Sequence, residues 1–209
     1  VCAQGVDSSK KAFLGEVSNY VSGKTTGTKI SGIKASKRKN TSLTLSWYLI
    51  DGCESYNIFK YDAQANEYQF IGQTFNNQNT FKVTGLKAAS EYKFKVRANK
   101  ANVACEESDV FSTVTTPKRV SNKSVKSRSR RKITYSFKKV NATGYEYQWS
   151  THRNFKYNFK TKTTKSTRVT IKTAQSRKRY YVRVRAYKLD ENKNKVYGSW
   201  SKVKRVKVR

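Results

Sequence analysis

Acidic residues are scarce in this sequence of 209 residues: 13 aspartates and glutamates stand against 45 lysines and arginines. Acid–base catalysis commonly uses two carboxylates held at a suitable separation. Residues 117–209 contain only Glu146, Asp190 and Glu191, and two of these are adjacent. The second half of the chain therefore offers no spaced pair of carboxylates for such chemistry.

Histidine is almost absent as well, because His152 is the single one. It lies in the polar stretch STHRN, which is typical of an exposed turn, and no nucleophile or carboxylate accompanies it. The sequence has no phosphate-binding loop and neither a GxGxxG nor a GxSxG motif. We therefore expect a protein that is not an enzyme and that uses no cofactor.

The three cysteines show no CxxC spacing, and no HxxxH motif accompanies them, so no metal site is predicted. No run of 18 or more apolar residues occurs, which excludes a transmembrane helix in this sequence. The first residues, Val1, Cys2 and Ala3, are typical of the end of a secretory signal peptide. Cleavage after Ala3 would leave an even pair, Cys53 and Cys105.

Positive charge, by contrast, is abundant and unevenly distributed. Residues 1–116 carry 15 Lys+Arg and 10 Asp+Glu, a net charge of +5, whereas residues 117–209 carry 30 against three, a net charge of +27. Uncompensated charges on this scale repel one another and destabilise a compact state. The asymmetry favours a polyanionic partner for the second half. A charged surface that serves only solvation is the alternative.

Short runs of alternating apolar and polar residues begin at residue 29, and such runs are typical of an all-β sandwich. The first seven runs cover residues 29–36, 42–48, 55–61, 67–73, 79–85, 90–99 and 109–116. After Pro117, the only proline, seven more cover residues 118–125, 131–137, 143–150, 155–162, 166–173, 179–188 and 198–208. Two β domains are therefore predicted, at 29–116 and 117–209.

The two sets of runs superimpose at an offset of 88 to 90 residues, which indicates an internal duplication. Tyr56 falls on Tyr145, Val96 on Val184, and Arg97 on Arg185. Residues 1–28 stand outside the duplication. There Phe13, Leu14, Val17, Tyr20 and Val21 recur at helical spacing, which predicts a short helix before the first β domain.

Several stretches resemble the fibronectin type III domain. LTLSW (43–47) is similar to the family's second strand with its core tryptophan, Trp47. GLKAASEYKFKVRA (85–98) is similar to the corner before the sixth strand, where the Tyr92 hydroxyl would cap the backbone. YVRVRAY (181–187) and GSWSKVKRVKV (198–208) resemble the repeats of secreted proteins of Gram-positive bacteria. The second copy departs from the pattern at Tyr135 and Ala174, where the first has Trp47 and Leu86.

The resemblance implies two tandem seven-stranded immunoglobulin-like β-sandwiches. Because successive side chains of a strand point to opposite faces, Tyr180, Val182, Val184 and Ala186 would face the core. The alternate residues would face solvent, on the sheet of the third, fourth, sixth and seventh strands, with two lysines of the last strand nearby. The anion-binding candidates on this face are Tyr181, Arg183, Arg185, Tyr187, Lys202 and Lys204.

A second basic cluster, SVKSRSRRK (124–132), contains Arg130 and Arg131 and is predicted to be an exposed loop. For both clusters the alternative is a solvated surface whose charge only blocks edge-to-edge strand pairing. The resemblance also places the loops of Cys53 and Cys105 at one end of the sandwich. A disulfide between them is expected if the protein is secreted.

These features favour a non-catalytic binding or adhesion protein that is secreted or held at a bacterial surface. The second domain would contact an anionic cell-wall or host glycan polymer. The first would be available for a host protein, such as an immunoglobulin or a matrix protein. Nucleic-acid binding is the weaker alternative, because no nucleic-acid-binding motif occurs. A ligand-free spacer within a larger surface protein or enzyme is the third.

Overall fold

The computed structural model describes residues 28–209 except Asn76, residues 102–104 and Ala174, together with the backbone of residues 4–6 and 12–14. The described residues form 17 β-strands and no helix. In this part of the chain there is accordingly no helix with the length and apolar character needed to cross a membrane. The all-β prediction is confirmed.

The N-terminal segment contains a small antiparallel pair of strands, β1 (Gln4–Val6) and β2 (Ala12–Leu14), with Gly5 opposite Phe13. The helix predicted here is wrong at Phe13 and Leu14, because pairing with β1 supplies the backbone hydrogen bonds that a helix would have supplied. The other residues of that predicted helix, Val17, Tyr20 and Val21, lie outside the described residues.

Seven strands form the first sandwich. They are β3 (Lys34–Ser36), β4 (Leu43–Ser46), β5 (Ser55–Asp62), β6 (Glu67–Phe75), β7 (Thr80–Val83), β8 (Glu91–Asn99) and β9 (Phe111–Val114). One antiparallel sheet has the order β3-β4-β7, and the other has the order β6-β5-β8-β9. Each of the first seven predicted runs overlaps one of these strands; β5 and β6 extend beyond their runs, and the other five strands are shorter than theirs.

The core of the first sandwich follows the alternation of its strands. Leu43 and Leu45 of β4 are buried, and they face Ile58 of β5 and Val96 of β8 across the two sheets. Trp47 is buried as predicted, with its ring centroid 5.5 Å from that of Tyr56. The tyrosine corner is also confirmed, because the Lys87 backbone N–H donates to the Tyr92 hydroxyl at 2.7 Å.

Eight strands form the second sandwich. They are β10 (Asn122–Lys126), β11 (Lys132–Phe137), β12 (Gly144–Ser150), β13 (Phe159–Thr164), β14 (Arg168–Lys172), β15 (Arg179–Leu189), β16 (Lys195–Tyr197) and β17 (Lys204–Lys207). One sheet has the order β10-β11-β14. In the other, β13, β12 and β15 are neighbours, and β15 also pairs with both β16 and β17. β16 is an addition to the seven predicted strands, and it pairs with the last residues of β15.

Tyr135 occupies the core position that corresponds to Trp47 of the first sandwich. It is fully buried, and its hydroxyl is hydrogen-bonded to Asn122 and lies 3.5 Å from the Ser201 hydroxyl. Burial raises the pKa of Tyr135 to about 12, because the phenolate would lose its hydration. The hydroxyl of this tyrosine therefore joins the first strand of the sandwich and the segment that precedes its last strand to the core.

The predicted disulfide is wrong, because Cys53 and Cys105 are both free thiols. The Cys53 thiol instead donates to the Ser55 carbonyl at 3.0 Å, and both cysteines pack against the core of the first sandwich. Each behaves as a small apolar side chain with a weak donor. The thiol of Cys53, which precedes β5, thus lies beside the carbonyls of Ser55 and Asn99.

Candidate functional site

The segment 181–187 lies on β15, at the centre of the larger sheet of the second sandwich. Tyr180, Val182, Val184 and Ala186 are buried in the core, as the alternation predicted. Tyr181, Arg183, Arg185 and Tyr187 point to the outer face of that sheet. All four lie on the predicted outer face, but each is only partly exposed.

The two arginines are enclosed by three aromatic rings, and we call this set the arginine stack: Phe155, Arg183, Trp200, Arg185 and Tyr197. The Arg183 guanidinium lies 4.2 Å from the centroid of Phe155 and 4.3 Å from that of Trp200. The Arg185 guanidinium lies 4.4 Å from Trp200 and 3.7 Å from Tyr197. Rings and cations thus alternate, and weakly hydrated guanidinium groups favour such stacking.

Two side chains of strand β12 accept hydrogen bonds from the arginines of the stack. The Arg183 Nε donates to Gln148 Oε1 at 2.8 Å, and the Arg185 Nε donates to Glu146 Oε1 at 2.8 Å. Glu146 is buried, forms an ion pair with Arg185 Nη2 at 2.7 Å, and accepts a hydrogen bond from the Tyr197 hydroxyl at 3.0 Å. The carboxylate therefore neutralises one of two neighbouring cations in a partly dry site.

Burial shifts the acidity of two members of the stack. The pKa of Arg183 lies below its usual value, because burial and the neighbouring Arg185 both disfavour the charged form. The pKa of Tyr197 is raised, chiefly by burial and then by its hydrogen bond to Glu146. Both guanidinium groups are therefore already in contact with rings and side-chain oxygens of the same sandwich.

Sequence reasoning missed the three aromatic members of the stack. Trp200 lies in the non-strand segment between β16 and β17, and Phe155 lies in the turn after β12. The signal was present in the sequence, since Tyr197 and Trp200 follow β15 within a short distance in the stretch YGSWS. Without a register for that stretch, nothing indicated that its rings would cover the arginines.

The two lysines predicted to adjoin the arginines lie elsewhere. Lys204 pairs with Val182, so it lies on the face of the sheet opposite Arg183. Arg205 pairs with Tyr181, so it lies on the outer face together with Arg183. Lys202 and Lys204 line a separate depression of about 300 Å³ with Arg119 and Asn122. The placement of Lys204 beside Arg183 and Arg185 was wrong, because the register of β17 puts Lys204 on the same face as Val206, opposite the buried Val182.

The second basic cluster is partly strand and partly turn. Its first residues belong to β10 and its last to β11, and the turn between them carries Arg130 and Arg131, both exposed. Arg131 adopts a φ of 57°, and its backbone is bonded to Arg209 and Thr173. The prediction of an exposed basic loop therefore applies to the turn alone.

The first sandwich presents an aromatic surface on the outer face of β5 and β6, which we call the aromatic face: Phe59, Tyr61, Tyr68, Phe70 and Phe75. Phe59 pairs with Phe70 and Tyr61 with Tyr68 across the two strands. Phe70 and Phe75 are 57% and 63% exposed. Cations of β8 border these rings, since Lys95 lies 4.6 Å from the Tyr68 ring and Arg97 5.5 Å from the Phe59 ring.

His152 and the remaining titratable groups form no catalytic arrangement that we recognise among the described residues. His152 is exposed in the turn after β12, and its Nδ1 lies 3.3 Å from the Thr151 hydroxyl. In the same part of the chain no group of three or more histidine, cysteine or acidic side chains is arranged to hold a metal ion.

The comparison with protein families bears on the first sandwich, whose second and sixth strands, core tryptophan and tyrosine corner have now been described. Residues 28–114 match the family model of the fibronectin type III domain. Fibronectin type III domains are generally non-catalytic binding or spacer modules, and they are typical of extracellular or surface proteins. No curated protein matches the chain.

Two solved structures with fibronectin type III domains are similar to the chain. One is the segment of two fibronectin type III domains from chicken tenascin, with a TM-score of 0.44 and 15% identity over 85% of this chain and 99% of that one. The other is the FN1–FN3 domains of chicken CNTN1, with a TM-score of 0.36 and 18% identity over 85% of this chain and 65% of that one.

Proposed function

We propose that this protein is a non-catalytic binding protein, secreted or attached to the surface of a Gram-positive bacterium. In this proposal residues 117–209 form a module that contacts an anionic cell-wall or host glycan polymer. Residues 29–116 form a module that binds a protein partner, such as a host immunoglobulin or matrix protein. The extracellular setting is supported by the family to which residues 28–114 are similar.

The observation that carries the proposal is the unbalanced charge of the second module. It contains 30 basic residues and only three acidic ones. Among the described residues it contains one ion pair, Arg185–Glu146, and that carboxylate is enclosed in the arginine stack. The other cations must be screened by ions or by a partner, and a polymer that releases its counterions is favoured over separate small ions.

The exposed cations, rather than the enclosed ones, are the candidates for contact with the polymer. Of the predicted residues, Lys202, Lys204, Arg130 and Arg131 are exposed. Arg183 and Arg185 already have aromatic rings and side-chain oxygens around them, so in this proposal they stiffen the sheet, with Tyr181 and Tyr187 at its surface.

The aromatic face supports the role of the first module in binding protein. Aromatic side chains and arginine are enriched at protein–protein interfaces, and exposed apolar patches rimmed by charge mark such sites. Phe70 and Phe75 project from this face with Lys93, Lys95 and Arg97 beside it. A partner with apolar and acidic side chains fits this arrangement.

The test compares the whole chain with a chain that ends at Thr116, since each sandwich has its own hydrophobic core. Binding to immobilised poly(glycerol phosphate), heparin and DNA is measured at low and near-physiological salt, with circular dichroism as the check on folding. We expect the whole chain to bind at least one polymer and the shortened chain to lose that binding. Equal retention of both chains contradicts the proposal.

A further inference from the structure

The outer face of the β10-β11-β14 sheet is covered by hydroxyl and basic side chains. The register fixes this set, because partners on neighbouring antiparallel strands share a face. Thr134 lies between Lys126 and Thr170, Ser136 lies between Ser124 and Arg168, and Lys132 faces Lys172. Arg128, which follows β10, joins the set because it lines the same depression. We call this the hydroxyl-basic face: Ser124, Lys126, Arg128, Lys132, Thr134, Ser136, Arg168, Thr170 and Lys172.

The donors of this face have no side-chain partner in the part of the chain that the structure describes. None of its five cations forms an ion pair, and none of its four hydroxyls has a hydrogen-bond partner, among the residues that the structure describes. All five cations are exposed. In this respect the face differs from the arginine stack, whose two guanidinium groups are held by rings and by Glu146 and Gln148.

A shallow depression of about 190 Å³ lies at the centre of the hydroxyl-basic face. It is lined by Ser124, Lys126, Arg128, Thr134, Ser136 and Arg168. Hydroxyls that can donate from the floor, with lysine and arginine at the rim, suit a tetrahedral oxyanion that accepts several hydrogen bonds at once. Residues two apart on a strand are separated by about 6.6 Å, so the cations can meet successive charges of one chain.

The composition of the face also indicates what the charges are attached to. Among the side chains that the three described strands direct outward, none is aromatic and none is acidic. Binding of single-stranded nucleic acid relies on stacking of bases on aromatic side chains, and that element is missing. A polymer without bases or stacked sugar rings, whose charges are joined by a flexible polyol, needs no such platform.

We propose that the hydroxyl-basic face is the polyanion-binding site of this protein and that its ligand is a linear polyol phosphate, a chain of phosphodiester-linked polyols. The inference rests on the proposed function and assigns it to one sheet. Phosphate oxygens occupy the central depression, where Thr134 and Ser136 donate to them, and Lys126, Arg128 and Arg168 hold the flanking charges.

The test measures binding of labelled poly(glycerol phosphate) to the whole chain and to two variants that lose three positive charges each. The first variant changes the face: Lys126→Gln, Arg128→Gln and Arg168→Gln. The matched control changes three exposed cations, two in the loop between β12 and β13 and one in β13: Arg153→Gln, Lys156→Gln and Lys160→Gln. Thermal unfolding of each variant checks that the second sandwich remains folded.

We expect the face variant to bind about tenfold more weakly or worse, and its log–log salt dependence to become shallower by about 2, because three phosphate contacts are lost. In the control variant the decrease in log affinity should be less than about a third of that in the face variant. A third variant, Thr134→Val with Ser136→Ala, keeps the charge. It should bind several-fold more weakly with an unchanged salt dependence.

The outcomes separate the two proposals. If the whole chain binds none of the anionic polymers, the proposed function itself fails. If the whole chain binds but the face variant and the control weaken equally, polymer binding stands and the assignment to this face is overturned. Tighter binding of oligothymidylate or of a sulfated glycan than of poly(glycerol phosphate) overturns the choice of ligand.

Discussion

Replacement of Trp200 by alanine should destabilise the second sandwich by about 2–4 kcal/mol. The ring of Trp200 contacts both guanidinium groups of the arginine stack, at 4.3 Å and 4.4 Å. Each partly dehydrated cation–π contact contributes about 0.5–2 kcal/mol, and the loss of the ring also exposes apolar surface of the stack. Two contacts and that exposure together give the range stated.

The measurement is hydrogen exchange followed by mass spectrometry on the whole chain. Amides of β15 report the opening free energy of the second sandwich, and amides of β8 report that of the first. In the Trp200→Ala variant the opening free energy reported by β15 should fall by about 2–4 kcal/mol, while that reported by β8 stays unchanged. Melting is a second readout, because 1 kcal/mol shifts the transition of a domain of this size by about 4–8 °C.

The control is Tyr157→Ala, which removes a ring that is 69% exposed on the same sandwich. Combining Trp200→Ala with Arg183→Gln in a double-mutant cycle should give a coupling of about 0.5–2 kcal/mol. If Trp200→Ala costs no more than Tyr157→Ala, or if the coupling is absent, the stack does not stabilise the sheet and the reasoning is refuted.

Two further predictions concern the cores of the two sandwiches. The free energy of unfolding of the second sandwich should fall by about 2–3 kcal/mol as pH rises from about 10 to about 12, because unfolded tyrosine loses its proton near pH 10 while buried Tyr135 keeps it until about pH 12. Urea titrations at several pH values check this, and a Tyr135→Phe variant that kept the same pH dependence would contradict it. Gly72→Ala should destabilise the first sandwich by about 1–3 kcal/mol, because the new Cβ would lie 2.5 Å from the Phe81 ring. Gly52→Ala, whose nearest neighbour is 4.0 Å away, should cost less in the same denaturation assay, and equal costs would speak against the clash.

The strands and their inward faces were predictable because a strand has a period of two residues. Along Tyr180–Tyr187 that period separates core from surface without any knowledge of neighbouring strands. The same rule also covers Lys204, because counting back by twos from the buried Val208 places Val206 and Lys204 on the core side of the last strand. The misplacement of Lys204 was therefore an error in applying the alternation, and the pattern itself continues through β17.

The partial burial of Arg183 and Arg185 could not be predicted for a different reason. It depends on Phe155 and Trp200, which lie outside the strands and reach the arginines only through tertiary structure. The expected disulfide rested on the placement of two loops, which does not fix where a thiol lies, and the Cys53 thiol donates to the Ser55 carbonyl instead. Similarly, Phe13 and Leu14 fit a helical spacing, but a local strand partner decided their structure.

The arginine stack has a consequence for the order in which the second sandwich folds. Its hydrogen bonds join residues that are 39 and 51 positions apart, so the chain must close long loops before they form. Until Glu146 and Trp200 arrive, Arg183 and Arg185 repel each other. We expect contacts of this kind to form after the rate-limiting step of folding, so that they slow unfolding more than they speed folding. On this expectation the stack lengthens the lifetime of the folded sandwich.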